Sequence, residues 1–233
     1  MCGRYALGKL QWWILQETFR LQQSALNLEP RWNIAPTQTA PIIRVDPDSE
    51  DGAMQMAMAR WGLVPHFWNK PLTEMKYSTF NAKSETASIT PSYRKSFQDR
   101  RCIIPAIGFY EWTGVKGQKQ PWFINQKDRD WIAMAGLWDR VEIDGDTLDS
   151  FSILTTTPNQ AMARIHTRMP VLLDPSDYEA WLSPETESVD SLLTACPSQD
   201  MVISEANKGV GRVKEEGEWL LQPGDGIHAG RLL

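Results

Sequence analysis

In residues 9–22, KLQWWILQETFRLQ, the apolar positions Leu10, Trp13, Ile14, Phe19 and Leu21 fall at near-helical spacing. That spacing predicts an amphipathic helix. Residues 33–45, NIAPTQTAPIIRV, begin as a Pro-broken turn and end as an apolar strand, and the polar run from Asp46 to Gly52 predicts a hairpin-like loop. Met54, Met56 and Met58 then alternate through residues 53–64, a strand ending at Gly62. Further strands are predicted over residues 102–109 (with a Pro kink), 121–125, 131–138 and 150–156, with a turn at Lys127-Asp128-Arg129-Asp130. Residues 84–96 read as helical on both sides of Pro91, and Pro175 to Leu182 as a short helix with Ser176 as a cap. Strands outnumber helices without alternating regularly with them. The predicted fold class is therefore α+β, a single domain on a mixed or antiparallel sheet with flanking short helices. Residues 1–222 form the expected domain and residues 223–233 a loose tail.

Composition narrows the function. Of 233 residues, 42% are hydrophobic and 23% charged, which excludes a disordered chain, a fibre or a coiled coil. No apolar run approaches the roughly 18 residues of a membrane span, so no membrane partner is expected. The start lacks a signal-peptide pattern, and three cysteines argue for a reduced cytoplasm rather than a disulfide framework. Net charge is −5, yet it is uneven: +4 over residues 1–103, −1 over 104–173 and −8 over 174–233. A basic face in the first part remains compatible with phosphate binding, though an uneven solvated surface explains the same numbers. Eleven tryptophans mostly fill the core. Trp68, in the Pro-bounded loop from Pro65 to Pro71 beside Lys70, is the one best placed to stack unpaired bases.

The chemistry starts at Cys2. Loss of Met1 would leave a thiol and an α-amine on adjacent carbons, with ordinary pKa values of about 8.5 and 7.7–8.0. Such a pair condenses with an aldehyde, amine first, and the thiol then closes a five-membered thiazolidine. The bland alternative is a small residue that merely begins a chain. Around it, Arg4 supplies a cation suited to phosphate, Asn33 and Pro36 an amide beside a rigid turn, and Asn81 and Lys83 an amide near a cation. Glu111 lies between aromatics, a setting suited to acid/base work, and His166 stands near Arg168. No spacing rule connects these groups, and each also has an ordinary structural explanation.

Taken in order, Met1-Cys2-Gly3-Arg4, Asn33-Ile34-Ala35-Pro36, Trp61-Gly62-Leu63-Val64-Pro65, Asn81-Ala82-Lys83-Ser84-Glu85-Thr86, Gly108-Phe109-Tyr110-Glu111-Trp112 and Ile165-His166-Thr167-Arg168-Met169-Pro170 resemble the SOS-response-associated peptidase family of abasic-site processing proteins. The resemblance implies a curved, barrel-like sheet and binding of single-stranded DNA carrying an abasic site. It implies a thiazolidine crosslink through Cys2, with autoproteolytic and lyase-like activity. Catalytic roles fall on Cys2, on Asn81 (orienting sugar or amine), on Glu111 (proton transfer) and on His166 (ring opening and reversal). DNA contacts fall on Arg4, Asn33, Pro36, Trp68 and Lys83. It also implies a cytoplasmic monomer, nucleoid-associated when on DNA, with no cofactor. Lys83 and Arg212 depart from the family's usual arginine and asparagine at those positions.

Two other classes compete. An N-terminal-nucleophile amidohydrolase also begins Met-Cys-Gly, but Arg4-Tyr5 stands where such enzymes carry apolar residues. A non-catalytic single-strand binding module would not need Cys2 at all. A metal site finds little support, because three cysteines and three histidines (His66, His166, His228) show no paired ligand spacing.

Overall fold

The computed structural model describes residues 2–49 and 52–224. Met1, expected to be removed, lies outside the described residues, as do His228 and all but the first two positions of the expected tail. In chain order the elements are β1 (Tyr5–Ala6), α1 (Trp12–Phe19), β2 (Thr39–Val45), β3 (Met54–Trp61), β4 (Asn81–Lys83), α2 (Ser84–Ala87), α3 (Pro91–Asp99), β5 (Arg101–Ala106) and β6 (Gly108–Thr113). They continue with β7 (Gln120–Gln126), β8 (Ile132–Ile143), β9 (Asp146–Thr156), β10 (Met169–Pro170), β11 (Leu172–Leu173), α4 (Tyr178–Leu182) and β12 (Met201–Glu205).

Five strands close into a barrel in the order β9-β3-β2-β5-β8, because β8 pairs back onto β9. The sheet is mixed: β3 and β4 run parallel to β9, and the other pairs are antiparallel. Cover differs along the barrel: β3 is partly covered, with Met58 exposed, whereas β5 is covered on both faces. All six residues of β5 are buried, which is why Cys102 to Ala106 reads as an unbroken apolar run rather than an alternating one. Ile42, Ile43, Trp61, Ile103, Phe151 and Ile153 share the main core. A second sheet, β1-β6-β7-β12, is antiparallel throughout and encloses a smaller core with Trp32, Tyr110, Phe123 and Leu220. The α+β class and the barrel-like sheet are as the sequence and its resemblance led us to expect.

Several local expectations are corrected. The helix of residues 9–22 is confined to α1, where Leu15 and Phe19 are buried and Trp13 points outward at 60% exposure. Arg20, in the left-handed region at φ 52°, ends it, and Leu21 N–H closes back on the Gln16 carbonyl at 3.0 Å. The strand of residues 102–109 is two strands in different sheets, with Ile107 between them. Pro91 interrupts nothing; it opens α3 as its first residue, where its missing N–H is harmless. Ser176 is not a cap, since its hydroxyl reaches only Asp177. The strands of residues 131–138 and 150–156 are the inner halves of a longer hairpin, β8–β9. Its two-residue turn, Asp144-Gly145, has φ 55° and 87°, the left-handed pair that matches strand twist.

Candidate functional site

The N-terminal segment lies between two neighbours. Tyr5 exchanges backbone hydrogen bonds with Ile34 at 3.2 and 2.9 Å, and Tyr110 N–H donates to the Arg4 carbonyl at 2.9 Å. Tyr5 opposes Phe109 in the β1–β6 register. The chain ahead of Tyr5 is thereby led into the protein, and Cys2 is fully buried. The Asn81 amide, delivered by β4, donates to the Cys2 carbonyl at 2.7 Å. Tyr93 from α3 donates in turn to the Asn81 carbonyl at 3.2 Å. Asn81 Oδ1 is enclosed and accepts nothing among the described residues, leaving one acceptor beside Cys2.

Glu111 projects from β6 and is buried. Burial first, and the Glu111 charge second, push the Cys2 thiol well above its ordinary range. Both effects disfavour the thiolate, where the sequence alone gave the thiol its ordinary range.

His166 follows a 3-10 turn at Met162–Arg164 and is half-buried. Its Nδ1 lies 3.0 Å from the Arg168 amide and 3.2 Å from the Arg168 carbonyl. Without a proton Nδ1 accepts from the amide, and with one it donates to the carbonyl, so the backbone offers a partner to either tautomer. The Arg168 guanidinium forks onto Glu85 at 2.7 and 2.8 Å and also donates to the Thr155 carbonyl. Thr155 is the register partner of Lys83. One ion pair thus ties the histidine segment to the strand and helix that carry Asn81 and Lys83. Arg168 and Glu85 both stand in the quoted motifs, but their pairing, and the part of Thr155, were not visible in the sequence.

The residues assigned to DNA fall into two groups. Lys83 is exposed, and Pro36 and Trp68 are partly exposed. Trp68 meets Tyr77 edge to face, with centroids 6.0 Å apart, beside the exposed Phe67. Arg4 and Asn33 turn inward. Arg4 Nη1 donates to Asn33 Oδ1 and to the Val210 carbonyl, both at 2.8 Å. Fully buried Asn33 donates to the carbonyls of Arg212 and Glu215 at 2.8 and 2.9 Å. Asn33, expected to touch DNA, holds residues 210–215 over the N-terminal strand with its side-chain amide. Among the described residues no three His, Cys, Asp or Glu side chains gather closely enough to hold a metal ion, and no helix is long and apolar enough to cross a membrane.

Comparison with known proteins points one way. A family model for SOS response associated peptidase (SRAP) matches residues 1–213. The abasic site processing protein YoqW of Bacillus subtilis is 34% identical over 229 residues, covering 95% of this chain and 99% of that one. The abasic site processing protein HMCES of Xenopus tropicalis is 31% identical over 200 residues, covering 74% of this chain and 60% of its own. A crystal structure of a Bacteroides thetaiotaomicron protein superposes with a TM-score of 0.84 at 24% identity, covering 96% of this chain and all of that one; at that identity it speaks for the fold alone.

Proposed function

This chain belongs to the SOS response associated peptidase family, and on that premise we propose that it captures abasic sites in single-stranded DNA as a covalent adduct of Cys2. The observation that carries the reading is the Cys2–Asn81–Glu111 arrangement: an N-terminal thiol buried beside a carboxylate, its carbonyl held by an amide whose oxygen is still unused.

The chemistry runs as follows. Removal of Met1 frees the Cys2 α-amine. The amine attacks the aldehyde carbon of the ring-opened sugar, and the carbinolamine loses one water to give an imine. The Cys2 sulfur then bonds to the imine carbon while the thiol proton passes to nitrogen, closing a thiazolidine. The net change is one water lost. Burial that disfavours the thiolate fits this order, since the thiol then gives up its proton as the ring closes. Asn81 aligns the cysteine backbone, with Oδ1 available to the new amine. Glu111 takes the amine or thiol proton. His166 exchanges a proton with the sugar oxygen during ring opening, its Nδ1 served in either state. Exposed Lys83 offers charge to the strand, and the Trp68 ring offers a stacking face. If the thiol does not trap the imine, the same amine supports β-elimination and strand cleavage, which is the lyase activity. The peptidase activity in this reading is confined to release of Met1.

Intact mass spectrometry tests it. After incubation with a single-stranded oligonucleotide holding one abasic site, the protein lacking Met1 should gain the oligonucleotide mass less one water, and nothing from the undamaged strand. Cys2→Ser should give no heat-stable adduct. A stable adduct of equal yield from Cys2→Ser, or from protein that keeps Met1, would end the proposal.

A further inference from the structure

Arg60, the penultimate residue of β3, is half-buried and has no carboxylate partner among the described residues; burial lowers its pKa and no neighbouring charge offsets this. Its Nη1 donates to the Gly62 carbonyl at 2.7 Å. Gly62, at φ 123°, makes that reach possible, since a Cβ there would sit 2.8 Å from the same nitrogen. The guanidinium lines a cleft of about 160 Å³ between Pro36 on one side and Tyr77, Ser78, Thr79 and Phe80 on the other. Thr37, at the rim, holds φ 75°, a costly conformation for a β-branched residue, and donates its N–H to the Trp61 carbonyl at 2.7 Å. The cleft is close to the chemistry. Phe80 precedes Asn81, and Tyr77, 45% exposed, is the ring that Trp68 meets edge-on.

None of the steps above uses this cleft. We propose that it receives the base of a nucleotide next to the abasic site, with the ring against Tyr77 and Pro36 and its polar edge on Arg60 and the hydroxyls of Ser78 and Thr79. The inference rests on the single-strand reading of the site. A base fits these walls better than a phosphate does. The volume corresponds to roughly five water molecules at about 30 Å³ each. A single guanidinium with a few hydroxyls offers one charged donor, fewer than the several charged or backbone donors a phosphate draws. A planar donor fork facing a slot with ring walls matches a base edge and a base face together.

The test uses the full chain and fluorescence anisotropy. The probes are single-stranded oligonucleotides with an unreactive tetrahydrofuran abasic analogue at the centre, each with or without a second base missing on the 5′ or the 3′ side. For the wild type, removing the base at one of the two flanks should weaken binding roughly fivefold or more, the scale of one stacked base. Arg60→Gln and Tyr77→Ala should lose a similar factor on the complete oligonucleotide and little on the one lacking that base. Arg60→Lys, which keeps the charge and loses the fork, should also lose affinity on the complete oligonucleotide, and the melting temperature of every variant is recorded so that a folding defect is told apart from a lost contact. Equal losses on both oligonucleotides, or a salt slope reduced by about 0.7 for Arg60→Gln as expected of one single-strand phosphate contact, would overturn the base-pocket assignment. So would insensitivity of the wild type to both flanking bases. Adduct formation by the wild type on a true abasic site is measured alongside; if it fails, the function proposed for Cys2 fails, independently of the cleft.

Discussion

Asn33→Ala separates a structural role for this residue from a DNA-contacting one. The side chain is fully buried and makes three hydrogen bonds: one from the Arg4 guanidinium at 2.8 Å and two to the carbonyls of Arg212 and Glu215 at 2.8 and 2.9 Å. Alanine removes all three bonds and leaves their partners without Asn33. Losing the acceptor for a charged donor costs about 1.5–3 kcal/mol, and each orphaned carbonyl about 1 kcal/mol, so the sum is on the order of 4 kcal/mol. In a domain of this size each kcal/mol lowers the melting temperature by about 2–4 °C, which predicts a fall of roughly 8–16 °C. Thermal unfolding followed by circular dichroism reads the fall. Anisotropy with an undamaged single strand, well below the transition, reads the affinity, which should change less than about threefold, within the range of a removed neutral contact. A melting temperature within about 2 °C of wild type, the scale of 1 kcal/mol, together with a tenfold or greater loss of DNA affinity would refute the reasoning and return Asn33 to the DNA surface.

Other expectations follow from the same geometry. Asn81→Ala removes the 2.7 Å bond to the Cys2 carbonyl and should slow single-turnover adduct formation by about tenfold, with binding of undamaged DNA unchanged; an unchanged rate would show that the amide does not position the cysteine. Stability should fall at alkaline pH. Burial raises the Cys102 thiol, so its contribution is complete below the unfolded thiol pKa of about 8.5 and is lost as pH rises above it. Cys102→Ala should therefore flatten the decline in melting temperature above about pH 9, and an identical slope would remove Cys102 from the account. For Asp149 burial raises the carboxyl, but hydrogen bonds and charge from Arg140 and Arg44 outweigh it and hold it below its ordinary range. Its contribution is present above about pH 4 and is lost as pH falls through the lower folded value. Asp149→Asn should abolish that acid limb and cost about 3 kcal/mol in urea unfolding; wild-type stability across the acid range would contradict it.

Much of the barrel was legible because its strands are short, apolar and bounded by turn residues. The failures have physical causes. Residues 102–109 read as one strand because nothing in an apolar run tells the chain to change sheets; the break at Ile107 exists because Gly108 packs against Phe123 and the Ile124 carbonyl, with less space there than a Cβ needs. The outer halves of β8 and β9 were missed because they are polar or charged, Asp139 to Glu142 and Asp146 to Asp149, although Asp144-Gly145 between them is a strong hairpin signal in its own right. The short strands β1, β4, β10 and β11 carry two or three residues each and hold their places by pairing with longer neighbours, information that no local pattern contains.

The site was legible as a set of residue types and illegible as a set of orientations. Cys2, Asn81, Glu111 and His166 could be named from their motifs, but whether an amide faces a sugar or a carbonyl depends on which strands meet. Asn33 and Asn81 make the point together. Both are asparagines beside a turn or a strand end, and both were candidates to meet substrate. β4 turns Asn81 toward Cys2 with one oxygen unspent, while the Arg4 pairing turns Asn33 toward residues 210–215 with every polar atom used. Hydrogen-bond capacity left over after folding is what separates a group available for chemistry from a group that builds the wall around it. By that criterion the unspent Asn81 oxygen marks a group with capacity left for chemistry, and neither it nor the carboxylate-free Arg60 could be singled out until the strands around them were assembled.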